Sequence, residues 1–222
     1  MSWFTRWLRR APRLEPQYAA RIDEYRAAAT DDPTCRLDQQ RLIVVDVETS
    51  GLNPQTDRLI AIGAVAVQGG VVRFADSFYA LVRQAQPSAT ENILVHGIDG
   101  TTQTSAPDSA DALSEFLTYA QKAPLIAFHA DFDRLFIERA MQAALGMIPE
   151  NGWLDLAELA PALFPERAEK ARKLDDWTGA FGIENYARHD ALADALATAQ
   201  LLQVLLARAS PAKMMRFAQL PA

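Results

Sequence analysis

Leu42-Ile43-Val44-Val45-Asp46-Val47-Glu48-Thr49-Ser50-Gly51-Leu52 is a β-branched apolar run that carries two acids and ends in turn-forming residues. A short apolar run bounded in this way reads as a buried strand. Side chains alternate along a strand, so Asp46 and Glu48 leave one face while Val45 and Val47 leave the other. Carboxylates are seldom buried without a partner. The acidic face is therefore either a strand end in water or the floor of a functional site. Thr49-Ser50-Gly51-Leu52 adds a small, glycine-containing turn that lets backbone come close to a ligand beside the acids.

Outward from this strand, residues 59–68 and 71–82 read as two more strands, joined at the hairpin signal Gly69-Gly70 and expected to pair antiparallel. Helical patterns follow at 109–121, 131–145, 155–164, 174–181 and 190–208, with a strand at 124–128. Strands in a meander, then strands alternating with helices, imply an α/β domain with a mixed sheet and helices on its faces. A further helix at 16–29 ends in the turn-rich Thr30-Asp31-Asp32-Pro33. The predicted organisation is a helical N-terminal extension (1–40), a main domain (41–207) and a C-terminal tail (208–222).

The 222 residues are half hydrophobic and 23% charged, the balance of a globular chain with one large domain and an appendage. A polymerase domain does not fit beside it in this chain. The net charge of −6 offers no general attraction to a polyanion, so nucleic-acid binding has to be local. Cys35 is the single cysteine, which excludes an intrachain disulfide and every cysteine-rich zinc site. With no long apolar span and no secretory pattern at the start, a cytoplasmic protein is expected. Residues 1–13 carry Arg6, Arg9, Arg10 and Arg13 without an acid, opposite Trp3, Phe4, Trp7 and Leu8 at helical spacing. That segment reads as a helix tucked onto the domain, or as one that binds a partner or a membrane surface.

No phosphate-binding loop, dinucleotide fingerprint, serine-hydrolase elbow or zincin motif occurs, so chemistry falls to carboxylates and histidine. Asp131-Phe132-Asp133 lacks the later ligands of a calcium loop, since Leu135 and Phe136 stand where they are needed. Asp131 is expected as the N-cap of the helix that follows, with Asp133 facing the sheet from its first turn. In His189-Asp190-Ala191-Leu192-Ala193-Asp194, Asp190 is the natural N-cap, His189 lies on the incoming loop and Asp194 stands one turn into a small-residue helix. Were Asp46, Glu48, Asp133 and Asp194 to converge, each pair about 4 Å apart would cost roughly 4 kcal/mol at an effective dielectric of 20. Several such pairs rival a domain's stability of about 5–15 kcal/mol. A converging cluster must bind cations, stay protonated or be dispersed, and oxygen-only ligands select hard cations such as Mg2+ or Mn2+.

The order Asp-x-Glu, then Phe-Asp after a strand, then His-x-Ala-x-x-Asp near the end resembles the DEDDh 3′–5′ exonucleases, relatives of the DNA polymerase III epsilon proofreading subunit and of ribonuclease T. The resemblance covers about residues 41–207. Its most specific pieces are residues 45–52 and Asp57-Arg58-Leu59-Ile60-Ala61-Ile62-Gly63, with Asn92-Ile93-Leu94-Val95-His96-Gly97-Ile98 resembling a segment near the substrate's 3′ end. One departure is His129, which stands where the family usually has asparagine. The resemblance implies a ribonuclease H-like five-stranded mixed sheet with helices on both faces, and release of nucleoside 5′-monophosphates from DNA 3′ ends. It implies two Mg2+ or Mn2+ ions held by Asp46, Glu48, Asp133 and Asp194, His189 as general base, and Thr49, Gly51, Leu52, His96 and Phe132 around the terminal nucleotide.

Single-stranded or frayed DNA 3′ ends are the expected substrate, with RNA the alternative because no motif reads a 2′-hydroxyl. An idle nucleic-acid-binding or assembly module of the same fold is a further alternative, against which the five intact positions weigh. A DNA polymerase or another replication or repair protein is the expected partner. Arg167, Lys170, Arg172 and Lys173 against the lone Glu169 form a basic stretch, read either as a solvated loop or as a contact for phosphates behind the scissile one.

Overall fold

Residues 14–30 and 35–208 are described by the computed structural model. The N-terminal segment 1–13, the junction 31–34 and the tail from residue 209 lie outside the described residues, and so do the expectations placed on them. In chain order the elements are α1 (Pro16–Ala27), β1 (Arg41–Thr49), β2 (Leu59–Gln68), β3 (Val71–Leu81), α2 (Thr90–His96), α3 (Gly100–Ser105), α4 (Ser109–Ala120), β4 (Leu125–Ala127), α5 (Ala130–Leu145), β5 (Trp153–Asp155), α6 (Leu156–Leu163), α7 (Pro165–Ala168), α8 (Leu174–Ala180) and α9 (Ala191–Arg208).

The sheet has the order β3-β2-β1-β4-β5. The meander β1-β2-β3 is antiparallel, as the hairpin signal implied, while β4 and β5 join parallel. The alternation of β1 divides the interior into two cores. Ile43, Val45 and Val47 pack with Phe116 of α4, Ile137 of α5 and the buried Tyr18, Ile22 and Tyr25 of α1. Leu42 and Val44 pack on the other side with Leu156 of α6, Trp177 of α8 and Leu202 of α9. Polar anchors fix α1 to the same layer: the Tyr18 hydroxyl donates to Asp111 at 2.8 Å and the Tyr25 hydroxyl to Asn151 at 3.0 Å.

β2 is apolar from Leu59 to Val67 and buried along that length, as a strand covered on both faces requires. Gly63 is the residue that lets α9 in. A Cβ placed there would stand 2.2 Å from the carbonyl carbon of Ala191, so helix backbone lies directly on strand backbone. The composition of α9 is long and apolar enough for a membrane span, but its buried alanines and leucines pack on β1, β2 and β3.

Two sequence expectations need correction. The residue pattern does not locate the fifth strand and begins a helix at Asp155; three residues are too short to show a strand period, and Asp155 instead ends β5 and caps α6 by accepting the Ala157 N–H at 2.8 Å. Asp131 is not an N-cap, because α5 begins earlier: His129 takes the entry position with φ 66°, and exposed Asp131 pairs with Arg134 at 2.8 Å. Asp190 does cap α9, accepting the Ala193 N–H at 2.9 Å.

Because Gly63 has backbone rather than a movable side chain against it, Gly63→Ala should cost about 1–3 kcal/mol. For a chain of this size that is a fall in melting temperature of about 2–4 °C per kcal/mol. An unchanged melting curve would show that α9 can be lifted without penalty.

Candidate active site

Asp46 and Glu48 leave β1 on the face covered by α9, opposite Val45 and Val47. Asp46 is paired with Gly63 across the β1–β2 ladder, so the residue that admits α9 lies beside the first acid. Asp190 fixes the start of the helix, its carbonyl taking the Asp194 N–H at 2.9 Å, and Asp194 is then presented to the strand one turn in. One carboxylate oxygen from each of Asp46, Glu48 and Asp194 lies within 4.8 Å of the others. Asp133, 4% exposed, comes up from the first turn of α5 behind this group, with the backbone N–H of Val47, between the two strand acids, favouring its charged form. Three of the four expected acids are thus gathered, with the fourth adjacent to them and turned toward the β1 backbone.

The charges are held under stress. Burial, then the fields of Asp133, Asp194 and Glu48, push the Asp46 carboxyl well above the usual range. Glu48 is pushed to about 8, first by burial and then by Asp194 and Asp190. Asp133 is raised chiefly by burial, against the opposing pull of its own N–H and that of Val47. Asp194, 4% exposed, is satisfied differently: it accepts from Arg188, Asn185 and the His189 N–H, the last at 2.9 Å. Oxygen donors of this kind, repelling one another in poorly solvated surroundings, fit a hard divalent cation.

The group forms the floor of a cleft of about 390 Å3. Thr49, Gly51, Leu52, His96 and Phe132 all line it, as do His189 and Lys173. Thr49 donates its hydroxyl to the Gly51 carbonyl at 2.7 Å, and the Asn92 amide donates to the Ser50 carbonyl, so the turn after β1 is held from both sides. Leu52 stands 85% exposed on the rim. His96 is buried; its Nδ1 accepts the Ile98 N–H at 3.0 Å and its Nε2 has no partner. Burial also holds the His96 imidazole below its ordinary range. His189, exposed with φ 62°, sits on the loop before α9.

Of the basic stretch, Lys173 alone lines the cleft. Arg167 donates to the Ala180 carbonyl at 3.0 Å and stacks on Phe181, so it holds α8 rather than reaching the acids. Lys170 and Arg172 are exposed outside the lining.

The family model for RNase T exonucleases matches residues 43–202. The chain belongs to this exonuclease family. Among curated relatives, the PolC-type DNA polymerase III of Thermotoga maritima is 30% identical over 72% of the chain, and a DNA polymerase III subunit epsilon-like protein of Rhodobacter capsulatus is 34% identical over 77%. The chain spans only 11% and 24% of those two proteins. Among solved structures, E. coli exonuclease I with a dA16 oligonucleotide superposes with a TM-score of 0.68 at 19% identity, over 81% of this chain and 43% of that one. Exonuclease X with 5′-overhanging duplex DNA gives 0.63 at 21% identity, over 80% of this chain and 99% of that one. The fold is the ribonuclease H-like α/β sheet of the exonuclease family.

The residue type of His129 has a local explanation. Its backbone is left-handed, a conformation in which Asn, Asp and His are enriched among residues other than glycine. The backbone bond there, His129 N–H to Asp155 at 2.9 Å, does not depend on the side chain. Sequence reasoning missed Arg188 and Asn185, and quoted Asn92 only as the start of the segment that carries His96. The first two stand just before the His189 motif, and asking which donors neutralise Asp194 would have singled them out.

The lifted carboxyls set a pH dependence for the metal-free protein. Glu48 binds its proton more tightly in the folded chain than at its ordinary value of 4.5. Its stabilising contribution is therefore complete below pH 4.5 and is lost as pH rises toward 8. In EDTA, stability measured by urea titration should fall between about pH 5 and 8, and Glu48→Gln should flatten the fall. A profile that rises over this window would contradict the burial of Glu48 in the acid group.

Proposed function

We propose that this chain is a divalent-metal-dependent 3′–5′ exonuclease that releases nucleoside 5′-monophosphates from single-stranded or frayed DNA ends. The observation that carries the reading is the convergence of Asp46, Glu48 and Asp194 within 4.8 Å on the floor of a cleft that also holds His189. Asp46, Glu48 and Asp194 would hold Mg2+ or Mn2+, with Asp133 completing the set. Such ions, when bound as a pair, supply charge stabilisation to the attacking and leaving oxygens of an in-line displacement.

The protein's own residues supply the rest. His189 is tied by its backbone N–H to Asp194 while its ring is exposed, which suits a base that takes a proton from the attacking water at neutral pH. The turn Thr49-Ser50-Gly51-Leu52 brings backbone beside the acids, and Leu52 and Phe132 offer apolar faces to the terminal base. His96 carries its proton on Nε2, because its Nδ1 already accepts, so Nε2 is a donor open to a substrate group. Relatives named as DNA polymerase III proteins favour a DNA 3′ end as substrate and a polymerase as the context in which it arises.

The test is hydrolysis of 3′- and 5′-labelled single-stranded DNA, RNA and mismatched duplex with Mg2+ or Mn2+. Mononucleotides should appear first from the 3′ label and stop with EDTA. His189→Ala should lower turnover by about 10²–10⁴-fold while leaving metal affinity nearly intact. Turnover preserved in that variant, or in excess chelator, would remove the assignment.

Lys173 is the basic-stretch residue placed to meet a backbone phosphate. Lys173→Ala should reduce the slope of log affinity against log salt by about 0.7 on single-stranded DNA. Joint replacement of Lys170 and Arg172 should leave that slope as it is. The opposite pattern would route the strand over the outer part of the loop.

A further inference from the structure

Arg188 occupies a place in the acid group that the proposed reaction does not use. Its Nη1 contacts Asp194 on α9, while its Nε bonds Asp175 on α8 at 2.8 Å, so one guanidinium bridges two helices at the edge of the cleft. Its field also opposes the repulsion felt by both Asp46 and Glu48. A planar fork with several donors can serve two carboxylates at once, which a lysine's point charge does less well.

We propose that Arg188 is a resident counter-ion of the acid group, competing with a divalent cation for Asp194. Without a cation it neutralises part of the cluster and keeps Asp194 in place. When a cation takes Asp194, Arg188 keeps Asp175, so its displacement does not strand a charge without a partner. Metal affinity is then a difference between two cations competing for one carboxylate, and Asp175 sets how easily the first is displaced. The proposal rests on Asp46, Glu48 and Asp194 being a metal site.

The experiment is isothermal titration of the full chain with Mn2+, together with thermal melts in EDTA. Arg188→Gln removes the competitor, so Mn2+ should bind about tenfold more tightly, the equivalent of roughly 1.4 kcal/mol. The same variant should melt at a lower temperature without metal. Asp175→Asn leaves Arg188 with Asp194 alone and raises the cost of displacement, so Mn2+ should bind severalfold more weakly in a chain that still folds. Opposite changes in affinity from the two ends of one bridge are not produced by a general loss of structure. If Arg188→Gln fails to fold, the Asp175→Asn titration decides by itself. Unchanged or parallel affinities in the variants, with Mn2+ binding intact in the parent chain, would overturn the role of Arg188 alone. Absence of Mn2+ binding in the parent chain would overturn the metal site and this proposal with it.

Discussion

The contact on which the rest of the structure depends is that of the first turn of α9 with Gly63 of β2. Backbone meets backbone there, at a distance no Cβ tolerates. Only glycine removes the obstacle, and the alanines of α9 continue the close approach, with Ala191, Ala195 and Ala199 all buried. Because Gly63 is paired with Asp46, the place where the helix touches the sheet is also the place where the strand acids emerge. Asp194, one turn in, has no other direction to face.

That geometry gathers negative charge in poorly solvated surroundings, which opposes folding unless it is compensated. Several kinds of compensation are present. Burial raises the affinity of Asp46, Glu48 and Asp133 for protons, which favours their neutral forms in the metal-free protein. Asp194 keeps its oxygens occupied by Asn185, Arg188 and the His189 backbone. The site is therefore preorganised in shape and strained in charge, the condition in which a hard cation gains most by binding. The same hydrogen bond that holds Asp194 also fixes the backbone of His189, so the acid and the histidine cannot drift apart.

Much of this was legible in the sequence because it rests on alternation and capping, which are local. The period of two in β1 assigned Val45 and Val47 to one core and the two acids to the opposite face, and the Asp190 cap set the phase of α9. What could not be read depends on distance in space. Gly63 sits in an apolar strand where glycine signals a close approach but does not say of what. β5 has three residues and no period to detect. Asp131 had the chemistry of an N-cap, yet the chain enters α5 through a left-handed His129 supported by Asp155 from a neighbouring strand. Arg167 read as a phosphate contact by charge, and only packing shows that it also contacts Phe181 and the Ala180 carbonyl, outside the cleft lining.

All three histidines of the chain line the one cleft, and their surroundings differ. His96 is buried, and accepting the Ile98 N–H at Nδ1 leaves its proton on Nε2, so it cannot take a further proton without becoming a buried cation. His129 is placed by a strand-to-helix corner whose conformation explains its residue type, and its ring packs edge-on against Phe128 at 4.9 Å. His189 alone combines a backbone fastened to an acid of the cluster with an exposed ring. A base has to accept a proton and release it to solvent on each turnover, which needs access to water as well as closeness to the acids. Of the three, only His189 is both exposed and tied by its backbone to an acid of the cluster, which is the arrangement the proposed role of base calls for.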